Sequence, residues 1–116
     1  MAPGPPYRVL VVGGGRSGYF AAAEDEKRDV FLPAFRRVLA HWEELGARVV
    51  ASFCDDVLQV GPNGAAWYLI FELDDLAVGA EMLAAARELD RWVGFELRVG
   101  RPFWAREEAV DSIGAP

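Results

Sequence analysis

Four short stretches of this chain alternate apolar and polar residues with a period of two, and two longer stretches between them repeat with the period of a helix. Tyr7–Val12, Ala47–Phe53, Ala66–Leu73 and Val93–Val99 are the strand-like segments. Between the first two, Phe31, Phe35, Val38, Trp42 and Leu45 follow in steps of three and four, one face of a helix that Gly46 ends. Pro33 marks either its start or a kink. Between the last two, Asp74 or Asp75 caps a second helix with Val78, Met82, Ala85 and Leu89 on its core side. Pro62-Asn63-Gly64 reads as the turn joining strands two and three as a hairpin. The order is βαββαβ, a ferredoxin-like α+β fold with a four-stranded antiparallel sheet and both helices on one face. Residues 7–104 make this single domain, residues 1–6 a Pro/Gly-rich flexible arm, and residues 105–116 a polar tail.

The alternation assigns side chains to faces. Val9, Val11, Val49, Ala51, Phe53, Trp67, Leu69, Phe71, Val93, Phe95, Leu97 and Val99 fall on the face under the helices. The opposite face mixes Leu10, Val12, Val50 and Ile70 with Arg8, Arg48, Tyr68, Glu72, Glu96 and Arg98. It is too apolar for easy exposure and too charged for a dry core. A symmetric second copy covering it satisfies both demands, so a homodimer is expected. A half-wetted sheet on a monomer is the alternative.

Val11–Phe20, VVGGGRSGYF, contains a literal GxGxxG. A dinucleotide-binding turn must open a packed helix and lead to a parallel strand ending in an acidic residue about 20 residues on. Here a charged run, Glu24–Arg28, follows, and the first suitable acid is Asp55. The glycines are read instead as a loop, either mobile or closing over a pocket and bringing Tyr19 and Phe20 with it. No cofactor is expected.

Net charge −6 argues against nucleic acid and anionic membrane surfaces as partners. No apolar run reaches membrane-spanning length, and the first residues lack the pattern of a signal peptide, so a cytoplasmic location is expected. Cys54 and His41 are the only residues of their kinds. An intrachain disulfide is therefore excluded, and no metal site is expected. Cys54 reads as a small buried hydrophobe.

His41, at the edge of the first helix's apolar face, is a candidate general base, or else a boundary residue with its tip in water. Asp55 and Asp56 sit at a strand bend. One of them, Asp55 by preference, can face a pocket and accept a proton, while turn formation and solvation are the plainer role. The aromatic load is heavy for this length. Trp42, Trp67, Trp104, Phe71 and Phe95 are either core or, with Tyr19 and Phe20, the lining of a cavity for a flat apolar ligand.

This layout resembles the dimeric α/β-barrel superfamily of small ferredoxin-like proteins. Within it the chain is similar to IacB-like proteins. The shared features are Tyr19-Phe20 after the glycine-ended strand, Asp55-Asp56, Val60-Gly61-Pro62, Trp67 in strand three, and Glu96, Arg98, Gly100 and Arg101 at the close. EDEKRDVFLPAF and FELDDL are similar to darcynin-like proteins. The resemblance implies a homodimer with facing sheets and a pocket between sheet and helices in each subunit. It implies a cofactor-independent oxygenase, isomerase, cyclase or lyase acting on an aromatic or polyketide-like molecule, or a non-catalytic accessory protein of such a pathway.

Overall fold

The computed structural model describes residues 6–59, 66–103 and 105–115. The turn expected at Pro62–Gly64, most of the N-terminal arm, and Trp104 lie outside the described residues. Strands β1 (Tyr7–Gly15), β2 (Arg48–Cys54), β3 (Trp67–Leu73) and β4 (Val93–Gly100) form one sheet in the order β2-β3-β1-β4, every neighbour antiparallel. This is the ferredoxin-like arrangement that the element order predicts. In β1, an interior strand, Val9 and Val11 are fully buried.

The first helical region is longer than its apolar spacing indicates. It opens with α1 (Ser17–Ala21) and continues through α2 (Glu24–Glu26), one wide π-helical stretch (Lys27–Phe31) and α3 (Leu32–Glu44). The charged run thus begins the helix, with Glu24, Asp25 and Glu26 in its first turn, where the helix dipole favours negative charge. Pro33 stands in the first turn of regular α3, one of the two places its sequence position allows. Leu32 N–H bonds back to the carbonyl of Lys27, five residues earlier, and Pro33, which has no N–H, sits where wide turns give way to ordinary ones. Gly46, with φ of 106°, ends the helix as expected. In α4 (Leu76–Ala86) the capping residue is Asp75, whose carboxylate accepts from Ala77 N–H at 2.9 Å.

The core lies between the inner sheet face and the helices. Trp42 is completely buried edge-on to Phe71, with ring centres 5.5 Å apart, and its indole N–H donates to the Met82 carbonyl at 3.0 Å. That bond ties α3 to α4 and satisfies the one polar atom a buried tryptophan carries. Met82, Leu89 and Val93 complete the layer.

Three expectations are corrected. Gly13–Gly15 is strand, not loop, and among the described residues Gly46 alone has positive φ. At Gly13 and Gly15, though not at Gly14, rings lie on the backbone. A Cβ at Gly13 would stand 3.1 Å from the Phe95 ring, and one at Gly15 2.9 Å from that of Phe20. Second, β2 does not alternate throughout. Val49 pairs with Phe71 but Ala51 with Ile70, so a bulge at Val50 reverses the faces of everything after it. Phe53 therefore stands on the outer face, stacked on Tyr68 at 4.7 Å, and Cys54 turns to the helix side, where it is exposed rather than buried. Third, the polar tail contains a helix, α5 (Arg106–Gly114).

Candidate functional site: an aromatic cleft around Trp67

The strand directions gather the ends of β1 and β2 and the beginnings of β3 and β4 at one edge of the molecule. Three adjoining clefts open there, and Trp67 lines all three. The largest, about 260 Å³, runs between Phe35, Trp67 and Phe95 toward Ser52 and Cys54. A second, about 180 Å³, lies among Tyr19, Phe31, Phe35 and Trp67. A third of about 180 Å³ has the Gly13–Gly15 backbone as a wall and reaches Phe20 and Cys54. Each is open to solvent. Their size is at the small end of ligand sites, suited to one or two fused rings.

The local sequence explains the arrangement. Three consecutive glycines leave the end of β1 without side chains, and the rings of Tyr19 and Phe20 fold onto that bare backbone. Gly18 lets α1 approach so closely that a Cβ there would collide with the Arg91 carbonyl. Tyr19 then meets Trp67 edge-on at 6.3 Å and Phe31 at 5.4 Å. Phe35 meets Trp67 at 6.2 Å. The π-helical stretch sets Lys27 with its ammonium 4.6 Å from the centre of the Tyr19 ring. Such edge-to-face contacts hold the rings in fixed orientations while leaving their other faces free.

The residues singled out in the sequence divide into three groups. Tyr19, Phe20, Trp67 and Phe95 come together in the clefts. Trp42 and Phe71 are core, 0% and 1% exposed. His41 and Asp55 line none of the three clefts. The His41 side chain is half exposed on the outer flank of α3, with Nδ1 3.9 Å from Glu44. Asp55 is a structural acceptor. One oxygen accepts from Ala66 N–H at 2.8 Å and Gln59 at 3.2 Å, and the other from the Tyr68 hydroxyl at 2.8 Å. These donors, the Ala66 N–H foremost, hold the carboxyl below the usual carboxylate range, and the Tyr68 hydroxyl's own bond to Asp55 raises the Tyr68 phenol. A carboxylate so engaged is a weak proton acceptor.

Phe31, Phe35, Ser52, Cys54 and Tyr68 also border the clefts, and nothing in their sequence pattern signals a site. The spacing of Phe31 and Phe35 carries only a core signal, and the faces of Ser52 and Cys54 depend on the bulge. Among the described residues no three His, Cys, Asp or Glu side chains gather in a way that could hold a metal ion, and no helix is long and apolar enough to cross a membrane.

A β2-β3-β1-β4 antiparallel sheet, helices on one face and an aromatic cleft at one end define a ferredoxin-like α+β protein. Solved structures share this fold. A protein of unknown function from Rhodopseudomonas palustris superposes with a TM-score of 0.61 at 22% identity, over 87% of this chain and 85% of that one. A candidate chlorite dismutase gives 0.57 at 19% identity, over 86% of this chain and 45% of its own. SnoaB, a cofactor-independent oxygenase from Streptomyces nogalater, gives 0.51 at 14% identity, over 88% of this chain and 97% of its own. No protein-family model matches the sequence, and no sequence relative was found among curated proteins.

Proposed function

We propose that the chain binds a small, flat, predominantly apolar molecule in the Trp67 cleft and acts on it as a cofactor-independent enzyme. The carrying observation is that three clefts, lined from all four strands and from the first helical region, converge on the one ring of Trp67. The lining offers π-faces, bare strand backbone, and only Ser52, Cys54, Tyr19 and Tyr68 as polar side chains. Such a surface favours an uncharged aromatic or polyketide-like ring system, because a charged group there would lose its hydration without gaining a counter-ion. The fold shared with SnoaB supports the enzymatic reading, and the motif resemblance to IacB-like proteins supports an aromatic substrate. In the oxygenase form of this reading the substrate, once deprotonated by solvent, gives its own electrons to dioxygen, and the protein supplies orientation.

The outer sheet face supports a homodimer. Leu10, Val12 and Ile70 are only partly covered, and Phe53 is 56% exposed. A second sheet laid on this face would bury them.

One observation favours a second reading, a non-catalytic binding or accessory protein. Neither His41 nor either oxygen of Asp55 is placed to take a proton from a molecule in the cleft. The deciding experiment is calorimetric titration of wild type and Trp67→Ala with a panel of bicyclic aromatic compounds, followed by oxygen-uptake and product assays on any that bind. Binding lost in Trp67→Ala supports the cleft. Turnover separates the enzyme from the accessory protein, and equal binding by both proteins would overturn the cleft reading.

A further inference from the structure

We propose that α5 is an arm that packs on a second copy of this chain, across the outer sheet face near Gly14 and Gly94. The inference rests on the pairing of outer sheet faces proposed above.

The helix has no reason to stand alone. It is nine residues long, below the length at which an isolated helix holds in water. It has no buried residue, and it packs substantially on no other described element. Its Val110 is 53% and its Ile113 86% exposed, one turn apart on the same side. The molecule as a whole is less compact than its length allows. Its radius of gyration is 16.2 Å, against about 13 Å for a compact chain of this length.

Charge and shape indicate where the arm goes. Glu107 is taken up by Arg106 at 2.9 Å, but Asp111 has no ionic partner among the described residues. On the outer sheet face Gly14 and Gly94 are paired, so neither contributes a side chain of its own. Arg16 lies across Gly94, its Nε 3.0 Å from where a Cβ would be, and has no acidic partner among the described residues. Gly14 has open space above it. Uncovered backbone at Gly14 beside an unmatched cation leaves room for a helix to come close and suits one with an unmatched carboxylate.

Geometry favours a second copy over the same chain. Arg16 and Gly94 mark one end of the sheet, and Gly100, from which the arm departs, pairs with Arg8 at the other, about 20 Å away. Reaching Arg16 in its own subunit would require the chain to double back along β4. When two sheets pack face to face about a two-fold axis running across the strands, the Gly100 end of one lies over the Gly94 end of the other. The arm then needs only to continue forward.

The test is the dimer dissociation constant by sedimentation. A chain ending at Ala105 should dimerise at least about tenfold more weakly, as burial of a valine and an isoleucine implies. An unchanged constant overturns the arm and leaves the facing sheets standing. Arg16→Asp and Asp111→Arg should each weaken the dimer about threefold, and the double variant should recover most of the loss. Absence of recovery overturns the seat at Arg16. A full chain that is monomeric at every concentration, with α5 amides protected from exchange, would show the helix folding back on its own subunit. That outcome overturns both arm and pairing, while ligand titration still reports on the cleft.

Discussion

The hydroxyl of Tyr68 donates to Asp55 Oδ2 at 2.8 Å, while Asp55 Oδ1 accepts from Ala66 N–H at the same distance. One carboxylate thus closes the base of the β2–β3 connection beside the largest cleft. Because Asp55 is held below its ordinary value, its contribution to stability is present at neutral pH and is lost as pH falls through its folded-state value, below the ordinary 3.8. Tyr68 is raised, so its contribution is present below the ordinary 10.0 and is lost as pH rises through the folded-state value. Tyr68→Phe should remove the alkaline loss and reduce the acid one. Urea unfolding across pH, wild type against variant, measures both limbs.

The glycines near the end of β1 should respond unequally to alanine. Gly14→Ala meets nothing within 4 Å and should change monomer stability by less than about 0.5 kcal/mol. Gly18→Ala drives a methyl into the Arg91 backbone carbonyl, which cannot swing aside, and should cost about 2 kcal/mol or more. Gly15→Ala meets the exposed Phe20 ring at 2.9 Å and the Tyr19 ring at 3.3 Å, side chains that can shift, and should cost less than Gly18→Ala while altering ligand binding. Denaturant midpoints on the three variants check the order. Equal effects would return the segment to the loop that its GxGxxG pattern suggests.

Trp42 serves packing, not the cleft. Trp42→Phe removes the N–H bond to the Met82 carbonyl and should destabilise by about 1 kcal/mol. Trp42→Ala also opens a cavity against Phe71 and should cost about 3–5 kcal/mol. Neither should abolish cleft binding in the folded fraction, which calorimetry at low temperature can establish.

His41→Ala should leave ligand affinity unchanged and shift stability by no more than about 0.5 kcal/mol, since its near ionic neighbour is the exposed Glu44. If turnover is found and the variant loses it, the base assigned from sequence is restored, and α3 must move during reaction.

Much of the scaffold is legible in the amino-acid order because it rests on local periodicity. Phe31 to Leu45 repeats at helical spacing, Val93 to Val99 alternates, and Gly46 and Asp75 punctuate at positions where backbone geometry demands them. The aromatic load of the chain points to core or lining alike, and sequence does not separate Tyr19, Phe20, Trp67 and Phe95, which line the clefts, from Trp42 and Phe71, which fill the core. The site's polar members were not legible. His41 and Asp55 have the right chemistry, but chemistry does not say which way a side chain faces or how many donors already hold it.

Pattern and composition alone therefore determine four strands, two helical regions and one face that must be buried, since each follows from which residues shun water and at what interval they recur. Tertiary structure alone decides the rest. A one-residue bulge at Val50 sends Phe53 outward and Cys54 to the cleft, Gly13–Gly15 stays extended because rings from α1 and β4 lie on it, and residues 106–114 coil into a helix that meets no core of its own. Each outcome depends on contacts between residues distant in sequence, where the energy of packing outweighs local preference.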